Sequence, residues 1–124
     1  MNVVDSSGWI EFLIEGANGP AFAEVIADHN NLLVPTIAIY EVYKWVSRQS
    51  GDAVADLAAA TMRSATVIDL DPDIAVMAAD LSAQRKLAMA DAIILATAQR
   101  FDATLWTQDR DFDGIDRVRY LPRK

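Results

Sequence analysis

The sequence predicts an α/β protein, an α/β/α sandwich around a mainly parallel central sheet of four to five strands. Three observations carry this. Short β-branched runs alternate with stretches of helical periodicity along the chain, the pattern of repeated strand and helix units. One run, Leu32-Leu33-Val34, is apolar throughout, as a parallel strand covered on both faces requires. The stretch from Met89 to Ala98 reads as a helix apolar on every side, interrupted only by Asp91, and such a helix belongs in an interior.

The elements follow in order. Asn2-Val3-Val4 is a strand ending at Asp5-Ser6-Ser7, and Trp9, Ile10, Phe12 and Leu13 then fall at helical spacing, with Ser6 or Ser7 suited to cap that helix. Gly16 to Pro20 reads as a loop, and Phe22, Val25, Ile26 and His29 as the stripe of a second helix. After Leu32-Leu33-Val34, Pro35 stops the strand and a helix starts at Thr36. Ile39, Val42, Tyr43 and Val46 form its apolar stripe. Ile37, Glu41 and Trp45 line up beside it, which sets Glu41 among large apolar groups. Ser50-Gly51-Asp52 breaks the pattern and opens an alanine-rich helix to about Arg63. Thr66-Val67-Ile68 is the third strand. Asp71-Pro72 supplies an N-cap and a first-turn proline for a helix with Ile74, Met77, Ala78 and Leu81 inside, ending near Arg85. The Asp91 helix follows, then a fourth strand at Ala103 to Thr107, with Val118 to Leu121 as a candidate short fifth.

With 124 residues, 52% of them hydrophobic, the chain suits a single domain over residues 1–124 with a real core. It has no apolar run of about 18 residues or more and no basic leader, so the expectation is a soluble, unexported protein of the cytoplasm. The absence of cysteine excludes disulfides and thiolate metal sites, and one histidine, His29, read as a surface residue, excludes a zinc cluster. A net charge of −7 argues against a general nucleic-acid-binding surface. Basic residues do gather in Gln84-Arg85-Lys86 and at Arg110, Arg117, Arg119, Arg123 and Lys124, either as a local RNA track or as solvated surface.

Position selects among the 18 acids. Asp5 ends the first strand, either as the cap of the first helix or as a site acid, and Asp109 lies just past the fourth, either as an ordinary turn acid or as a site acid; ligands of open parallel sheets bind outside these carboxyl ends. Asp91 opens the apolar helix, either as its cap or as a site acid, and Glu41 sits in the helix after the second strand, either paired with Lys44 or leaning over the same edge. Should all four converge, they need a cation to remain ionised together, and an all-oxygen donor set points to Mg²⁺ or Mn²⁺. One or two such ions held by carboxylates suit hydrolysis of a phosphodiester backbone.

Val3-Val4-Asp5-Ser6-Ser7, Pro35-Thr36 with Glu41, Ala90-Asp91-Ala92-Ile93-Ile94-Leu95-Ala96-Thr97-Ala98, and Leu105-Trp106-Thr107-Gln108-Asp109 with Phe112 resemble the PIN domain, specifically VapC-type toxins of type II toxin-antitoxin pairs, over nearly the whole chain. The resemblance implies a Mg²⁺- or Mn²⁺-dependent endoribonuclease in which Asp5, Glu41, Asp91 and Asp109 are the metal-binding and catalytic acids. Ser6 and Thr107 would orient carboxylates or water behind them, and Asp111 and Asp113 rank below the four. It also implies a homodimer, an RNA substrate, and an antitoxin partner whose segment lies in a groove near the first helices. Trp9, Phe12, Tyr40, Tyr43 and Trp45 are either that lining or core. Two alternatives are a PIN nuclease of RNA maturation or decay without an antitoxin, and a catalytically silent interaction module.

Overall fold

A computed structural model describes residues 1–124. Its sheet consists of β1 (Asn2–Val4), β2 (Leu32–Pro35), β3 (Thr66–Ile68), β4 (Thr104–Thr107) and β5 (Val118–Tyr120). The order is β3-β2-β1-β4-β5 and every pairing is parallel, so the expectation of a mainly parallel sheet sharpens to an all-parallel one. The helices are α1 (Ser6–Leu13), α2 (Gly19–Ala27), α3 (Thr36–Ser50), α4 (Asp52–Arg63), α5 (Pro72–Arg85) and α6 (Met89–Arg100). Side chains alternate faces along a strand, yet Leu32, Leu33 and Val34 are all buried, so helices cover the sheet on both sides.

The chain leaves β1 toward β2 and β3 on one side, then returns to place β4 on the other side of β1. A topological switch point therefore opens between β1 and β4, where ligands of open α/β sheets bind. Helix α6 explains its own composition: Ala92 through Ala98 are consecutively buried, against β1, β2 and β4 and between α3 and α5. The one hydroxyl in that run, on Thr97, donates to the Ile93 carbonyl at 2.8 Å and leaves no orphan polar group.

Several boundaries differ from the pattern reading. Of the cap candidates for α1, it is Asp5 and not Ser6 or Ser7 that caps it: its carboxylate accepts from the Gly8 amide at 2.9 Å. Helix α2 begins at Gly19, inside the expected loop, because Pro20 fits a first helical turn. It ends at Ala27, which leaves His29 in a separate exposed 3-10 turn. In α3 the buried stripe is Ala38, Val42 and Val46, while Ile39 and Tyr43 are only partly buried, since the helix is rotated toward α4 and the sheet. The Asp71 cap holds, accepting from the Ile74 amide at 2.8 Å.

Gly8 packs α1 against its neighbours. A Cβ there would stand 2.7 Å from both Phe22 Cε1 and Val4 Cγ1, and both neighbours are fully buried. Alanine improves helix propensity by about 1 kcal/mol, but overpacking a filled core costs about 1–3 kcal/mol, and here the second effect wins. Gly8→Ala is thus expected to lower stability by about 1 kcal/mol or more, read as a reduced urea midpoint at constant slope.

Candidate active site at the switch point

Asp5 ends β1, and its carboxylate lies on the switch point almost fully enclosed, 2% exposed. Two hydroxyls besides the Gly8 amide fix it. The Ser7 hydroxyl reaches both oxygens at 2.8 and 2.9 Å, and the buried Thr107 hydroxyl donates at 2.6 Å from the end of β4. Burial pushes the Asp5 carboxyl up from 3.8 to about 6, although these donors pull the other way; nearby Asp109 adds to the rise.

Thr107 works in both directions. Its hydroxyl also accepts from the Asp109 amide at 2.9 Å, which anchors the turn that carries Asp109. Asp109 in turn accepts from the Asp111 amide at 2.9 Å and starts a 3-10 turn. Thr107→Val removes the donor at nearly constant volume. The expected results are a loss of about 1–3 kcal/mol and a still higher Asp5 pKa, seen as an alkaline shift in the acid limb of the pH–rate profile. Thr107→Ser should restore that limb; an unmoved limb in Thr107→Val would separate Asp5 from the chemistry.

Asp91 is the third residue of α6, whose N-cap is Ala88; it makes no capping bond, so the capping reading of this acid fails. Its half-buried carboxyl is pushed from 3.8 to about 7, first by desolvation, then by Asp109, Glu41, Asp5 and Asp111 in that order. Those four acids all act on one group, which is the electrostatic mark of convergence. Glu41 does not pair with Lys44. It accepts from the Ser6 hydroxyl at 2.6 Å, while Lys44 lies over the Tyr40 ring, 5.8 Å from its centroid.

The structure thus brings together Asp5, Glu41, Asp91 and Asp109, with Ser6 on Glu41 and Thr107 on Asp5. Carboxylate oxygens of Asp91, Asp109 and Asp111 lie within 4.8 Å of one another. Asp111 therefore belongs with the acids more closely than its place in the sequence indicated, because the turn after Asp109 folds it back. Ser7 has a part that its sequence position conceals: besides standing near the cap of α1 it donates to Asp5, just past β1. The only ion pair in the chain, Arg117 with Asp102 at 3.6 Å, lies elsewhere, so no protein cation neutralises the cluster. Its donor set is all oxygen, and its charge is uncompensated within the protein. Both features fit a hard divalent cation.

Of the aromatic residues considered for a groove, Trp9 is fully buried, and Trp45 packs partly against the core. Phe12 lines a cavity of about 660 Å³ with Leu13, Gly16, Pro20 and Ala23, to which none of Asp5, Glu41, Asp91 and Asp109 contributes. Tyr40 and Tyr43 line a second of about 550 Å³ along α3.

A parallel sheet with an oxygen-only acidic cluster at its switch point defines an acidic-site α/β protein. The family model described as PIN domain matches residues 3–118, and the chain belongs to the PIN-domain family. Solved structures agree. A toxin-antitoxin complex from Klebsiella pneumoniae superposes with a TM-score of 0.80 at 27% identity, covering 100% of both chains. The VapC toxin of Mycobacterium tuberculosis described as cleaving the sarcin-ricin loop gives 0.76 at 21% identity over 96% of this chain and 99% of its own. A VapBC complex from Rickettsia felis bound to a promoter DNA fragment gives 0.75 at 15% identity over 99% and 98%. Its structural neighbours are therefore VapC toxins and VapBC complexes. No curated protein sequence matches the chain. No helix is long and apolar enough to cross a membrane.

Proposed function

We propose that this chain, acting as one domain, is the toxin of a toxin-antitoxin pair: a Mg²⁺- or Mn²⁺-dependent endoribonuclease that hydrolyses RNA phosphodiester bonds. The observation that carries the reading is the cluster at the switch point, where carboxylate oxygens of Asp91, Asp109 and Asp111 lie within 4.8 Å of one another with no protein cation paired to them. Asp5, Glu41, Asp91 and Asp109 are the groups that hold the metal. When bound, a divalent cation lowers the pKa of water and offsets charge on a phosphodiester under displacement.

The protein's own part is preorganisation. The Asp5 carboxylate is held by Ser7, Gly8 and Thr107, and Glu41 by Ser6, so neither reorganises as charge develops. Asp91 carries no such tether, and with its carboxyl raised to about 7 by burial and by the neighbouring acids it is the ligand that a bound cation would stabilise most in its ionised form. Two relatives support the biological reading, the toxin-antitoxin complex from Klebsiella pneumoniae and the sarcin-ricin loop cleaving toxin. By analogy with the Klebsiella pneumoniae complex one partner is an antitoxin, its segment in the cavity beside Phe12 and Pro20, while a second copy of the chain and a cytoplasmic setting are what the PIN-domain resemblance implies.

The test is cleavage of total bacterial RNA by the purified protein with Mg²⁺, Mn²⁺ or EDTA, beside Asp5→Ala. Discrete products that require metal and Asp5 are expected. A folded, partner-free protein that leaves RNA intact would sink the nuclease and favour an interaction module.

A further inference from the structure

The acidic edge repels the polyanion it is proposed to cut, and the metal neutralises it only locally. Phosphates to either side of the scissile bond need cations of the protein. One basic pair is delivered to the flank of this edge by bonds that are otherwise hard to explain. β5 runs parallel to β4 with Tyr120 beside Thr107, and the next residue, Leu121, donates its amide to the Thr107 carbonyl at 2.8 Å. The chain is then clamped once more. The Asn18 amide nitrogen donates to the Pro122 carbonyl at 3.0 Å and to Gln108 Oε1 at 3.1 Å.

Asn18 and Gln108 are buried, 2% and 3% exposed, and Gln108 lies between Thr107 and Asp109 in the chain. Asn18 is itself fixed, its backbone amide donating to Glu11 at 3.0 Å. A buried amide side chain thus ties the segment after β5 to the same loop that carries a site acid. The residues that follow at once are Arg123 and Lys124, both exposed and both free of ion pairs in a chain with 18 acids. We infer that Arg123 and Lys124, held at the site flank by the Asn18–Pro122 clamp, bind backbone phosphates of single-stranded RNA next to the cleavage point. Asn18 is the positioning residue of this arrangement. The inference rests on the reading of the protein as a ribonuclease.

The experiment measures two quantities on one labelled single-stranded RNA oligonucleotide: binding by anisotropy against salt, and cleavage with Mn²⁺. The proteins are the wild type, Arg123→Ala/Lys124→Ala, and Arg63→Ala/Arg100→Ala. The last loses equal charge from the last turns of α4 and α6. Two phosphate contacts contribute a slope of about −1.4 in log K against log salt for single strands. The first variant should lose about that much slope and raise KM about tenfold, and the second should match the wild type. Asn18→Ala should move KM in the same direction, with little further change when combined with the first variant.

Unchanged slope and KM in Arg123→Ala/Lys124→Ala, beside wild-type cleavage, would overturn the inference and leave the nuclease standing. An equal loss in both double variants would overturn it too, as an effect of net charge. Binding that depends on Arg123 and Lys124 without cleavage would uphold this surface and overturn the nuclease. No binding by the wild type would overturn both.

Discussion

Asp91→Asn is expected to lower RNA cleavage about a thousandfold or more and, in metal-free buffer, to raise the melting temperature. The two effects share a cause. The site gathers negative charge that only a cation relieves, so the acid most useful to catalysis is the one most harmful to the empty fold. Removing a ligand from a metal site forfeits several kcal/mol of transition-state stabilisation, each 1.36 of which is about tenfold in rate. On the stability side, a rise from 3.8 to about 7 would correspond to about 4 kcal/mol if fully expressed. Asp91 is only half-buried, and solvent screening reduces this to roughly 1–2 kcal/mol, or several degrees in midpoint. Calorimetry and a cleavage assay on the same preparation check both. Wild-type cleavage by Asp91→Asn, or a lowered midpoint, would make Asp91 a structural residue.

The metal-free protein is also expected to lose stability as pH rises from about 4 to about 7, and Mn²⁺ is expected to restore it. Asp5 and Asp91 have native values raised to about 6 and about 7 from 3.8. Between those limits the native state holds more protons than the unfolded chain, so the unfolding free energy falls with increasing pH. The penalty is absent below about 4 and complete above about 7, and for the pair it is on the order of 2–4 kcal/mol, or roughly 10 °C. Saturation with cation at 100 times Kd adds about 2.7 kcal/mol at pH 7.5, and less at pH 5, where protons compete for the same oxygens. Melting curves at pH 5 and 7.5, with and without Mn²⁺, measure this directly. Equal metal stabilisation at both pH values would remove the carboxylates from the binding event, and Asp91→Asn should weaken the pH dependence to the share that Asp5 contributes.

Much of this site was legible along the chain because a strand end is a local event. Asp5 after Asn2-Val3-Val4, and Asp109 after Thr107, are fixed to the carboxyl ends of β1 and β4 by the register of two short apolar runs. Asp91 stood out because a charge in an otherwise apolar helix demands a reason. Less visible were the groups that reach between distant segments. Nothing local distinguishes Ser7 as a donor to Asp5 from Ser7 as a cap, or brings Asn18 to Gln108 and Pro122. Asp111 looked like one more turn acid until the turn folded it toward Asp91.

By itself, the sequence determined the class of fold, four strands and a candidate fifth, the helices between them, and the family resemblance carried by four acids and their neighbours, because periodicity, caps and strand-end chemistry act over a few residues. Only the tertiary structure decided the strand order. That order puts β4 beside β1 and so creates the switch point at which Asp5 and Asp109 meet. It also decided that Asp91 feels Asp109, Glu41, Asp5 and Asp111 together, since Coulomb coupling depends on distance in space and on burial, neither of which chain spacing specifies.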